Sequence, residues 1–286
     1  MITPHVGPRF VPRAAGGMLR AALHVVVYSL ALVAAFPFVW MISTSLKPES
    51  EVFTWPPHLL SWPPVWSNYA DAWTIAPFGR YFLNTAIVAV SVTGFSLFLN
   101  SLAAYAFARL KFRGRDMMFM LLLGSMMIPF QVTMIPTFLI LKQFGWLDSY
   151  LGLTVPGFAG AFGIFMLRQF MLSIPEDLLD AARMDGCSEF RIYHQIMLPL
   201  CKPALATLAV FTFMGAWNDF MLPLLVVKSG NMRTLTLAVS ALSSGLYVMS
   251  FPLMMAAATF IIVPVIVAFV FAQRFFTQSI ALGGLK

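Results

Sequence analysis

The sequence predicts an all-α, polytopic membrane protein with six transmembrane helices, and three observations carry that prediction. Its 286 residues are 60% hydrophobic and only 10% charged, against about a quarter charged in an ordinary soluble domain. The few charges stand between long uncharged intervals. Those intervals have the length a helix needs, roughly 20 predominantly apolar residues, to cross a hydrocarbon core while bonding its own backbone.

Taken in order, 26 uncharged residues lie between Arg20 and Lys47, 28 between Arg80 and Arg109, 25 between Asp116 and Lys142, and 19 between Asp148 and Arg168. After Lys202, 16 uncharged residues lead to Asp219 and eight more to Lys228, which makes a fifth span with one acid. The 40 uncharged residues from Thr234 to Gln273 divide by composition. Thr, Ser, Gly or Tyr fill eight of the 17 positions Thr234–Ser250, whereas Thr259 is the only hydroxyl in Phe251–Ala272. The expected spans are residues 21–46, 82–107, 117–140, 149–167, 203–226 and 251–272, forming a membrane domain 21–272 between tails 1–20 and 273–286. The first run exceeds the roughly 7 to 15 apolar residues of a signal peptide and reads as a retained helix.

An even number of spans puts both termini on one side. Thirteen Lys and Arg, from Arg9 through the connections at 109–115 and 168–202 to Lys286, fall on that side, and five (Lys47, Arg80, Lys142, Lys228, Arg233) on the other. The positive-inside rule therefore predicts cytoplasmic termini. The same scatter argues against nucleic acid as a partner despite a net charge of +7, because no basic patch forms. Two cysteines, Cys187 and Cys201, are too few for a disulfide framework, and no HExxH or CxxC spacing offers a metal site. No Lys follows a Gly, so the chain has no phosphate-binding P-loop.

The outer connection Lys47–Arg80 holds Pro48, Pro56, Pro57, Pro63, Pro64 and Pro77, which prevent a long helix, and Trp55, Trp62, Trp66 and Trp73. Tryptophan at that density suits an external docking surface or an interfacial belt. Within the spans Asp219 is the only Asp, Glu, Lys or Arg. A charge at a helix centre costs about 2.5 to 3.5 kcal/mol, so Asp219 reads as a pathway-lining group, a bond to a partner membrane protein, or a structural hydrogen bond within this chain. Asn84, Asn100, Gln131 and Asn218 carry the same readings. Pro129, Pro136 and Pro264 interrupt helical bonding and predict kinks, and the 19 methionines read as adaptable packing.

The connection 173–202 is too polar to be a turn, with eight charges in 30 residues. Ser173 and Glu176 have capping-box spacing and Pro175 suits a first turn. Gly186 can end that helix in the left-handed region, and Ser188 can cap a second one toward Pro199. Leu178, Leu179, Ala182, Phe190, Tyr193, Ile196 and Met197 recur at helical spacing. The element carries five acids to three bases, whereas membrane-surface helices are rich in Lys and Arg. A protein partner is expected.

Asp180-Ala181-Ala182, Gly186 four residues later, then Ile196, Leu198 and Pro199 resemble the EAA loop of ABC-importer permeases. Ser45-Leu46-Lys47-Pro48, Ala103-Ala104-Tyr105-Ala106-Phe107-Ala108-Arg109 and Trp217-Asn218-Asp219-Phe220 extend the likeness, so most of the chain resembles the MalG-like permeases of the first carbohydrate uptake transporter family. Asp180 stands where Glu is usual, Cys187 where a small residue such as Ala is common, and the tail Gly283-Gly284-Leu285-Lys286 lacks a last Gly. The resemblance implies a type I ABC importer permease fold in a prokaryotic plasma (inner) membrane, carrying a sugar, polyol or glycerol phosphate. It implies a second, MalF-like permease, two cytoplasmic ATPase subunits and an external substrate-binding protein, with membrane lipid around the bundle. ATP and Mg would then sit on the partner ATPase and no cofactor on this chain. It also implies an ATPase-coupling set of Asp180, Ala181, Ala182, Arg183, Asp185, Gly186, Ile196, Leu198 and Pro199, in which Asp180, Ala181, Ala182 and Gly186 form the contact. The rival is a self-contained secondary transporter or channel, for which one Asp and a few amides at midplane are a poor supply. A membrane enzyme finds no paired carboxylates within the spans.

Overall fold

The computed structural model describes residues 13–243 and 250–283, and the only regular secondary structure among them is helical. In chain order the helices are α1 (Arg13–Ser45), α2 (Ser67–Thr74), α3 (Phe78–Arg109), α4 (Arg115–Ser125), α5 (Phe130–Gln143), α6 (Tyr150–Thr154), α7 (Ala161–Leu172), α8 (Asp177–Met184), α9 (Glu189–Ile192), α10 (Leu198–Leu200), α11 (Lys202–Trp217), α12 (Met221–Val226), α13 (Leu235–Ser243) and α14 (Phe251–Gly283). The tail residues Gly284, Leu285 and Lys286 lie outside the described residues.

Four runs are long and apolar enough to cross a membrane: Arg20–Ser45, Phe78–Arg109, Tyr150–Leu172 and Phe251–Phe271. Two more pass only as broken pairs, α4 with α5 at 102° and Glu189–Leu200 with α11 at 78°, and counting each pair once gives six. The third expected span is therefore broken rather than kinked. Pro129 takes an extended conformation (ψ 146°) as the residue before α5, which is what a ring that removes an N–H and excludes continued helix produces. Pro136 and Pro264, by contrast, sit inside α5 and α14. The fifth span also departs from expectation, because α11 stops at Trp217 and Asn218-Asp219-Phe220 separates it from α12.

The buried centre runs along α3. Toward the end that carries residues 173–202, Ala104, Tyr105 and Ala108 of α3 cluster with Ile164, Leu167 and Met171 of α7 and with Ala204 and Leu208 of α11. Toward the opposite end, Phe78, Tyr81 and Ala89 cluster with Trp217, with Leu235, Ala238 and Leu242 of α13, and with Ala256 and Ala257 of α14. The indole of Trp217 donates to the carbonyl of Ile261 at 3.0 Å and so fixes α11 to α14. The apolar run of α1 has none of its length buried until Met41, and Ser43, Thr44, Ser45 and Lys47 are then buried in succession. Lys47 is held by its ammonium donating to the carbonyl of His58 and lying 4.9 Å from the centre of the Trp40 ring. Trp55 and Trp62 project from the following connection and are exposed.

Candidate functional site

The polar connection folds as two helices about Gly186, whose φ of +79° is the left-handed conformation that a residue without Cβ adopts at no steric cost. The amides of Gly186 and Cys187 close the end of α8 on the carbonyls of Arg183 and Ala182, each at 3.0 Å. Ser188 caps α9 by accepting the amide of Arg191 at 3.4 Å. The expected capping box at Ser173 and Glu176 does not form. The Ser173 hydroxyl donates to the carbonyl of Phe170, and Glu176 lies at the start of α8 without a side-chain capping bond, because Arg109 engages its carboxylate. Pro199 does not end the second helix either. The chain passes through a π-helical segment, Tyr193–Met197, in which the amide of Leu198 reaches back to Tyr193, and breaks only at Cys201.

The apolar stripe divides as periodicity requires. Leu179, Ala182, Ile192, Tyr193 and Met197 are buried against α3 and α7, with Ile196 and Leu198 partly buried beside them. Ala182 is thereby removed from the outward contact expected of it and packs inside this chain. Asp180, Ala181, Asp185, Gly186 and Pro199 are exposed. Three large apolar side chains of α8 and α9 accompany them outward, Met184 at 88% exposure, Phe190 at 68% and Leu178 at 50%.

A closed ring of side chains holds the pair. Arg183 donates to Asp180 at 2.7 Å and to Oε1 of Glu189 at 2.9 Å, and approaches Glu176 at 3.9 Å. The Tyr105 hydroxyl donates to Oε2 of Glu189 at 2.5 Å. Arg109, one turn further along α3, donates to Glu176 at 3.3 Å and to the carbonyls of Met171 and Ile174 where α7 ends. Cations at a helix C-terminus complement its free carbonyls and dipole. The Arg183 hydrogen bond, followed by that from Tyr105, holds the Glu189 carboxyl below the ordinary Glu value, and Glu189 and Asp180 in turn raise Arg183. Tyr105, Arg109, Glu176 and Glu189 fall outside the coupling set that the resemblance implies. The available signal was an Arg closing an apolar run, a Tyr one turn before it, and an acid-rich element elsewhere needing bases.

The polar residues of the spans do not converge. Asp219 lies in the break after α11, where one carboxylate oxygen accepts the amides of Met221 and Leu222 at 3.1 and 3.4 Å, a helix cap rather than a charge inside a continuous helix. Asn84 is fully buried, giving its amide hydrogens to the carbonyls of Asn231 and Arg233 and accepting the Tyr150 hydroxyl at 2.6 Å. Asn218 and Gln131 are exposed, Asn218 at the break after α11 and Gln131 in the first turn of α5.

Residues 98–282 match the family model described as "Binding-protein-dependent transport system inner membrane component". The chain is 36% identical over 270 residues to the arabinooligosaccharides transport system permease protein AraQ of Bacillus subtilis, covering 93% of this chain and 96% of that one. It is 32% identical over 265 residues to the sn-glycerol-3-phosphate transport system permease protein UgpE of Yersinia enterocolitica, covering 90% and 94%. Among solved structures, a chain of a bacterial ABC transporter involved in the import of the acidic polysaccharide alginate superposes with a TM-score of 0.79 at 25% identity, covering 94% of this chain and all of that one.

Proposed function

This chain belongs to the binding-protein-dependent transport system inner-membrane components and is the permease subunit of an ABC importer, and from that premise we propose that residues 173–202 receive the motion of a separate ATPase while the bundle forms half of a solute pathway. The observation that carries this reading is the outward face of α8 and α9. Large apolar groups in a solvated element mark a contact surface, and Met184 and Phe190 stand beside the Gly186 turn with Asp180, Ala181 and Asp185 exposed around them. The buried face beneath is fixed, so a push on the outer face displaces the pair as a unit.

The partners on this reading are two ATPase subunits on the cytoplasmic face, which hold the ATP and Mg, a second MalF-like permease, and an external binding protein. Both termini are then cytoplasmic, as the distribution of Lys and Arg supports. The solute is an oligosaccharide or another sugar-like compound such as a polyol phosphate, the classes named for the two relatives. Gln131 stands at the break between α4 and α5 and Asn218 at the break between α11 and α12, and exposed polar groups at discontinuous membrane helices suit a pathway or a permease–permease interface.

Gly186→Val tests the coupling assignment. A β-branched residue is strained at φ +79°, so the turn reshapes. The expected result is a subunit that still inserts and assembles with its partner permease but loses ATP-dependent uptake. Unchanged uptake by that variant would refute the assignment.

A further inference from the structure

We propose that Tyr105 and Arg109 form a two-jawed clamp through which displacement of the α8–α9 pair enters α3, rather than passing along the covalent chain into α11. The two routes differ in stiffness. The covalent one runs through the π-helical segment Tyr193–Met197 and a 78° break at Cys201, and such irregular turns are where helices yield. The side-chain route is short and closed on itself. From Tyr105 it runs to Glu189, Arg183 and Glu176 and returns to α3 at Arg109, with contacts of 2.5, 2.9, 3.9 and 3.3 Å.

The jaws grip different parts of the lever. Tyr105 holds the first turn of α9 through Glu189, and Arg109 holds both the start of α8 and the last carbonyls of α7. Both jaws are buried, at 4% and 8% exposure, although the acids they meet are half-exposed. A charge-assisted bond with one buried partner is geometrically restrained in a way that a pair of mobile surface side chains is not. Deeper in the bundle, the Asn100 side chain of α3 accepts the amide of Gly160 at 3.0 Å at the start of α7. Two points of attachment, at opposite ends of α7, therefore make α3 and α7 follow the α8–α9 pair together. Tyr105 and Arg109 act as positioning residues, since neither lies on the outward face.

This inference rests on the reading of α8 and α9 as the ATPase-facing element. Its test uses the assembled importer, permeases with ATPases, in proteoliposomes, with solute moved per ATP hydrolysed as the readout, normalised to assembled complex. Tyr105→Phe removes one hydroxyl and Glu189→Gln removes the charge it meets. Each is expected to lower the ratio by about tenfold, the scale of one hydrogen bond to a charged group, and the double variant should be no worse than either single one. A ratio equal to the parent's in both variants overturns the clamp and leaves the ATPase contact intact, as do effects that simply add in the double variant. Should Tyr105→Phe fail to assemble, Glu189→Gln alone decides, being half-exposed at the edge of the fold. A parent chain that never copurifies with an ATPase overturns the underlying reading, and the clamp with it.

Discussion

A Cβ placed on Gly163 would lie 2.5 Å from the side-chain nitrogen of Asn100, so α3 and α7 meet backbone against side chain in the middle of the bundle. That nitrogen donates to Ser96 at 2.7 Å and the Asn100 oxygen accepts the amide of Gly160 at 3.0 Å, which leaves the amide little freedom to retreat.

Gly163→Ala is therefore expected to destabilise the chain by about 1–3 kcal/mol, the usual cost of overpacking, read as a lower Tm in detergent. Asn100→Ala should relieve most of the added cost when combined with it, although Asn100→Ala is itself destabilising. Additive losses in the double variant would contradict the contact.

Asn84 joins α3 to the connection before α13 through two carbonyls and to α6 through the Tyr150 hydroxyl. Asn84→Ala leaves three polar groups without that partner, at about 1–3 kcal/mol for each buried group so exposed. The expected outcome is earlier proteolysis of the segment 227–234, while the segment 173–202 keeps its protection. Equal loss at both ends of the bundle would show that Asn84 is not a local tie.

The Arg183–Glu189 pair makes a prediction about acid. The Arg183 hydrogen bond, then that of Tyr105, lowers the Glu189 carboxyl from its ordinary value of 4.5. A group lowered in the folded state contributes stability that is complete above that ordinary value and is lost as pH falls through the lower folded one. The Tm difference between the parent and Glu189→Gln should thus hold constant from about pH 6 to 8 and close below 4.5. A difference that widens in acid would reverse the sign of the interaction.

Much of this was legible in the chain because a bilayer imposes simple demands. Uninterrupted apolar length placed α1, α3 and α14, and the turn residues Gly186 and Ser188 act as their chemistry dictates. What was not legible depended on partners distant in sequence. Ser173 and Glu176 have the spacing of a capping box, yet Glu176 is claimed by Arg109, 67 positions earlier. Ala182 falls within the EAA-like stretch yet faces inward, since which side of a two-turn helix is covered is decided by α3 and α7. Asp219 reads as a costly charge within a span, but the helix stops at Trp217 and the carboxylate is a cap. Charge counting measures length and says nothing about where a helix ends inside an uncharged interval.

The first helix shows what such a bundle lacks by itself. Most of the apolar length of α1 is exposed, and full burial begins only at Met41. Its stem leans on α14, and the exposed remainder of its girth must be dressed by acyl chains or by a neighbouring subunit. The slant of that stem is consequently set by its seat on α14 together with its company, and a change in it would be felt at α14 before any contact along α3.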